Sequence, residues 1–136
     1  MSDTAQAHAR PPIIVSETDA QRLTALAIQK EATAPEAAGL LLDELERAQV
    51  RPDDRVPPDV VGMNSTVEFV DESHGQSRVV QLVYPGEADI SAGRVSVLTP
   101  IGAGLIGLSA GQSILWPGRD GQARELKVLR VERAAA

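Results

Sequence analysis

Arg51-Pro52-Asp53-Asp54-Arg55-Val56-Pro57-Pro58 (RPDDRVPP, residues 51–58) places three prolines in eight positions. Proline removes a backbone donor and biases its predecessor away from helix, so this stretch reads as a linker. The hydrophobic period changes across it. Before residue 51 apolar side chains recur at helical spacing, and after residue 58 they alternate. The chain therefore reads as α+β, a helical part of residues 13–55 followed by a small sheet domain of residues 56–136, with residues 1–12 as a flexible tail.

Upstream of the linker, Ser16-Glu17-Thr18-Asp19 has the spacing of a capping box, in which the hydroxyl and the carboxylate three residues on satisfy the first free amides of a helix. A helix from about residue 17 to 31 is expected, with Leu23, Leu26, Ala27 and Lys30 on one face. Thr33-Ala34-Pro35 interrupts it, and Pro35 suits the first position of a second helix running to about Val50. Its inner face should carry Ala38, Leu41, Leu42, Leu45, Ala48 and Gln49. So short a connection implies an antiparallel helical hairpin, a short coiled coil.

Downstream, strands are expected at Val67–Phe69, Ser77–Tyr84, Arg94–Leu98, Ser113–Trp116 and Arg124–Val131. Val79 and Val83 on one side of the second strand, with Val80, Leu82 and Tyr84 on the other, suggest a central strand covered on both faces. Asp120-Gly121 is a hairpin signal. Thr99 to Leu108 leaves room for about two turns of helix. The second part is then a twisted, mainly antiparallel sheet with one short helix.

Composition narrows the chemistry. The 136 residues carry 13 Lys plus Arg against 19 Asp plus Glu, a net charge of −6, which disfavours wrapping a phosphate backbone. Six basic and ten acidic groups fall in residues 1–55, so most of the excess lies in the helical part. The aromatic residues are Phe69, Tyr84 and Trp116, too few to stack bases. The chain contains no cysteine, excluding thiolate catalysis and Cys-ligated zinc. No signal-like or membrane-length apolar run occurs, and the chain reads as soluble and cytoplasmic.

Gly102-Ala103-Gly104-Leu105-Ile106-Gly107 matches G-x-G-x-x-G, but Pro100 follows the strand and Gly111 stops any long helix. It reads as glycines shaping a close-packed loop, with no nucleotide site. His8 in the tail and His74 in a turn read as solvated, and neither a metal site nor a catalytic triad is expected. Asp43, Glu44 and Glu46 read as a solvated helix face. Glu31 and Glu36 flank the hairpin bend, where oxygen ligands could hold Mg²⁺ or simply meet water. Arg119, Arg124, Lys127, Arg130 and Arg133 read as the exposed side of an edge strand or as a patch for an acidic protein.

This organisation resembles the Gre transcript-cleavage factors. Leu82-Val83-Tyr84-Pro85-Gly86-Glu87-Ala88-Asp89, Arg94-Val95-Ser96-Val97-Leu98-Thr99-Pro100-Ile101-Gly102, Leu105-Ile106-Gly107 and Ala110-Gly111-Gln112 are similar to Gre segments. Asp19-Ala20-Gln21-Arg22-Leu23, Leu42-Asp43-Glu44-Leu45-Glu46-Arg47-Ala48 and Pro58-Asp59-Val60-Val61-Gly62-Met63-Asn64-Ser65 extend the likeness to the related Rnk group, regulators of nucleoside diphosphate kinase. The resemblance implies an FKBP-like second domain that docks on the largest-subunit coiled coil of RNA polymerase, at the rim of its secondary channel. Thr99, Pro100 and Ile101 are the implied docking loop, and Gly102 and Leu105 are implied to bind the polymerase with it. Leu98 and Thr99 stand where Gre factors usually have an acid and a serine. A 15-residue helix spans about 22 Å, much shorter than the Gre coiled coil, so Glu31 and Glu36 are not expected to serve the polymerase active centre. The implied function is a non-enzymatic polymerase-binding regulator without cofactor, competing with other channel-binding factors; the alternatives are weak Gre-like cleavage or regulation of nucleoside diphosphate kinase levels.

Overall fold

The computed structural model describes residues 11–72, 75–117 and 123–133. Strand β1 (Ile14–Ser16) runs straight into helix α1 (Glu17–Lys30), and helix α2 (Pro35–Arg47) runs into strand β2 (Gln49–Arg51). Ser16 caps α1 as its position suggests, its Oγ accepting from the Asp19 amide at 3.0 Å. The other half of the box is absent. Asp19 Oδ2 instead accepts from the Met63 amide, 44 residues away, at 3.1 Å. A carboxylate near a helix start serves whichever amide the fold presents to it, and here that amide belongs to another segment.

The second helix stops at Arg47, three residues short of expectation. Gln49 donates to the Ile13 carbonyl at 2.9 Å, and β2 pairs parallel with β1, Val15 opposite Val50. β-branched Val50 and the following Pro52 favour extended backbone. Gln49 is exposed and takes no part in the inner face. The linker is also more ordered than its prolines suggest: Arg51 completes β2, Asp53–Arg55 form a 3-10 turn, and Asp53 grips α1 through the Thr18 amide (3.0 Å) and the Thr18 hydroxyl.

The remaining strands, β3 (Thr66–Asp71), β4 (Gln76–Val83), β5 (Arg94–Ser96), β6 (Ser113–Pro117) and β7 (Ala123–Glu132), form one sheet in the order β5-β4-β3-β7-β6. All neighbours are antiparallel except the β4–β5 pair. β4 is not the doubly covered strand that its sequence suggested. β5 reaches only Gln81 to Val83, so Val83 is buried while Val79 is 53% exposed. The basic strand β7 is likewise no edge, lying between β3 and β6. Arg130 lies 3.9 Å from Glu68. His8, His74, Arg119 and Asp120-Gly121 lie outside the described residues, as does the side chain of Arg124.

Helix α3 (Pro100–Leu105) packs against α2 and contributes to the core. Leu23 and Ala27 from α1, Ala38 and Leu41 from α2, Val67 and Phe69 from β3, and Ala103 and Leu105 from α3 belong to one buried cluster. The helix pair is thus packed on the sheet domain. Glu44 corrects the expected solvated acidic face. It lies three residues after Leu41, is fully buried, and accepts from Arg47 Nε (3.0 Å) and Nη2 (2.7 Å), while Arg47 Nη1 holds the Pro11 carbonyl at 2.6 Å. A buried charge is tolerated only when paired in this manner. Among the described residues no helix is long and apolar enough to cross a membrane.

Candidate functional site

The loop between β5 and α3 is built on Ser96. Its Oγ accepts from the Leu98 amide at 3.0 Å. Its carbonyl accepts from the Thr99 amide at 3.2 Å and the Thr99 hydroxyl at 2.7 Å. Thr99 Oγ1 in turn accepts from the Gly102 amide at 3.1 Å, capping α3. Pro100 occupies the first turn, where its missing N–H costs nothing. Thr99 has extended backbone angles (φ −110°, ψ 160°), as expected before proline.

This bracing presents Pro100 at the surface and leaves Ile101 half-buried, its side chain against the core. Gly102 and Leu105, expected to bind the polymerase with this loop, are buried. Leu105 is fully buried. A Cβ on Gly102 would come within 2.1 Å of the Ser96 carbonyl oxygen, so glycine is required for α3 to approach β5. Gly107, at φ +82°, also packs closely, a Cβ there meeting the Ile13 Cβ at 2.9 Å. The glycine motif thus shapes close packing, as its sequence context suggested. Glu31 caps the end of α1 and Glu36 stands in the first turn of α2, away from this loop, and both are exposed.

A polar cleft of about 210 Å³ between the start of α1 and residues 53–65 has no counterpart in the sequence reading. Thr18, Asp19, Asp53, Met63, Ser65 and Arg133 line it. The Thr18 hydroxyl, then the Thr18 amide, hold the Asp53 carboxyl below the usual carboxylate range; desolvation opposes them, and Arg133 and Arg22 add smaller lowering effects. Arg133 donates to the Val56 carbonyl at 3.3 Å. These groups stitch helix to linker. Tyr84, half-buried nearby, has its phenol pushed up by burial and then by the Asp19 carboxylate. Among the described residues no group of three or more His, Cys, Asp or Glu could hold a metal ion. The capping spacing at Ser16 gave a signal for Asp19, but nothing local announced Asp53.

The comparisons with known proteins agree with this geometry. The family model described as "Transcription elongation factor, GreA/GreB, C-term" matches residues 56–133, and "Rnk N-terminus" matches residues 11–50. The chain is 42% identical over 123 residues to the regulator of nucleoside diphosphate kinase of Escherichia coli K12, covering 90% of each. It is 39% identical over 74 residues to transcription elongation factor GreA of Azorhizobium caulinodans, spanning 54% of this chain and 47% of that protein. The solved GreA/GreB elongation factor from Nitrosomonas europaea superposes with a TM-score of 0.70 at 37% identity, over 91% of this chain and all of the other. With a Rnk-type helical beginning and a GreA/GreB C-terminal domain in one continuous core, the chain belongs to the Rnk family of transcription-factor-like regulators.

Proposed function

We propose that this protein binds RNA polymerase at the rim of the secondary channel, docking an FKBP-like sheet domain on the largest-subunit coiled coil through Thr99, Pro100 and Ile101. It excludes other channel-binding factors and cleaves no RNA itself. The observation that carries this reading is the docking loop: an exposed proline and a half-exposed isoleucine on a turn fixed by Ser96 and Thr99. A preorganised apolar tip loses little freedom on binding. The helix pair supports the second half of the reading. α1 has 14 residues, about 21 Å at 1.5 Å per residue, and its start is tied to the linker by Thr18 and Asp53. Read as an antiparallel hairpin, the pair carries Glu31 and Glu36 no farther than that.

Pro100→Asp puts a charge at the tip of the loop while leaving the buried core untouched. It is expected to abolish co-purification with core RNA polymerase while the thermal midpoint stays near that of the wild type. Undiminished binding by the folded variant would remove this loop from the interface.

Exposure of both Glu31 and Glu36 favours one second reading, weak stimulation of transcript cleavage. A backtracked-complex assay separates the two. Cleavage above the polymerase's own rate, lost in Glu31→Ala/Glu36→Ala, would replace the binding-only reading. The relative's name concerns nucleoside diphosphate kinase, and here such an effect is proposed to follow from transcription. Direct capture of purified kinase would contradict that.

A further inference from the structure

The loop between β5 and α3 sits in a run of the chain without charge. Residues 95–118 contain no Asp, Glu, Lys, Arg or His, although Asp, Glu, Lys and Arg make up 24% of the chain. Buried positions account for much of that run, but the loop itself reaches the surface. Pro100 is exposed, and Leu98, Thr99 and Ile101 are half-buried. Thr99 has extended backbone angles, so the side chains of Leu98 and Pro100 leave the chain on the same side. Leu98 and Ile101 also pack against the core.

This loop has spent most of its hydrogen-bond donors on itself. The amides of Val97, Leu98, Thr99 and Gly102 donate to the Val83 carbonyl (2.9 Å), Ser96 Oγ (3.0 Å), the Ser96 carbonyl (3.2 Å) and Thr99 Oγ1 (3.1 Å). Pro100 has no amide proton. A threonine hydroxyl has one proton, and that of Thr99 goes to the Ser96 carbonyl at 2.7 Å. The Ile101 amide, in the first turn of α3, is the one backbone donor of residues 97–102 outside this set. Gripping a carboxylate or a phosphate takes a cation or several convergent donors, and gripping a cation takes a carboxylate. The loop has none of these, and what it offers is carbon surface.

We infer that the docking surface is an apolar patch of Leu98, Pro100 and Ile101, and that it meets a patch of the partner that is itself apolar and uncharged. Thr99 is a positioning residue: its hydroxyl holds the patch in shape and does not read the partner. This rests on the docking reading above and changes it in two respects, adding Leu98 to the contact residues and removing the Thr99 side chain from them. Such a contact is stabilised by taking carbon surface out of water. A charge of either sign placed in it must be desolvated without a partner, so the sign of the charge is immaterial.

The test measures Kd for core RNA polymerase with the full chain, at low and at high salt and well below each variant's thermal midpoint. Pro100→Asp and Pro100→Lys should both weaken binding at least about tenfold, and at both salt concentrations, since salt screens only exposed charges. Wild-type or tighter binding by one of the two, with loss in the other, would reveal a charged partner surface and overturn the apolar patch while leaving the docking loop in place. Leu98→Ala should weaken binding about fivefold and Leu98→Met much less, because methionine keeps the carbon surface. Undiminished binding by Leu98→Ala would remove Leu98 from the contact. Thr99→Val keeps the shape and loses both hydroxyl hydrogen bonds, and it should bind more weakly; Thr99→Ser keeps them and should bind as the wild type does. The reverse order would make Thr99 a contact residue. No binding by the wild type, or full binding by both Pro100 variants, would end the docking reading and this one with it.

Discussion

Two helices of this molecule begin on a proline, and they begin differently. α2 starts at Pro35 behind Ala34, which offers no side-chain cap. α3 starts at Pro100 behind Thr99, which bonds both ways, to Gly102 and to Ser96. The contrast continues one turn on. A Cβ at Gly39 of α2 would meet nothing within 4 Å, whereas one at Gly102 would strike the Ser96 carbonyl. Length explains the difference. α2 has 13 residues and an apolar face to bury, so tertiary packing holds it without help at its end. α3 has six residues, too few to persist alone, and needs its cap and its close approach to β5. The short helix therefore displays its first proline on a braced turn, and the long one starts without a side-chain cap.

Breaking the close approach should have the largest effect. Gly102→Ala is expected to cost about 3 kcal/mol, because the Ser96 backbone must move or α3 must lift from the core. A urea midpoint equal to that of the wild type would show that α3 is not wedged as described. Removing the cap comes next. Thr99→Ala should lower stability by about 1 kcal/mol, and it should weaken polymerase binding further than that loss of folded protein explains, with Thr99→Ser restoring much of both. The smallest change goes the other way. Gly39→Ala in the open middle of α2 should raise stability by about 0.5–1 kcal/mol; a loss there would mean that some close neighbour of Gly39 has been overlooked.

Much of this was legible beforehand, for reasons specific to each element. Ser16 and Pro35 marked helix starts because the first turn of a helix has free amides and no need of the proline N–H. Val67, Phe69, Val80 and Leu82 announced their strands by alternation, since successive side chains of a strand face opposite ways. The proposed docking loop came from resemblance to a family and not from any physical pattern in its own residues. Glu44 escaped because its charge outweighed its position in a simple reading. Its spacing from Leu41, with Arg47 a further three residues on, was the available signal, and it pointed to a paired charge inside the helix face. Val79 escaped because the exposure of a strand depends on how far its neighbour extends, and β5 supplies only three residues.

The sequence by itself determined the order of α1, α2 and α3 and of the strands of the main sheet, though not β1 and β2, together with the glycines and prolines that permit the sharp turn into α3, and the family. Each follows from chemistry within a few residues or from a pattern shared with relatives. Only the tertiary structure decided which polar groups are consumed: Asp19 by Met63, Asp53 by Thr18, and the Arg94 and Ser96 backbone by Asp89 and Thr99. A carboxylate or an amide has the same chemistry wherever it stands, and its partner, up to 44 residues distant, is chosen by the packing of the whole chain. That choice leaves Pro100 facing water just past the end of β5.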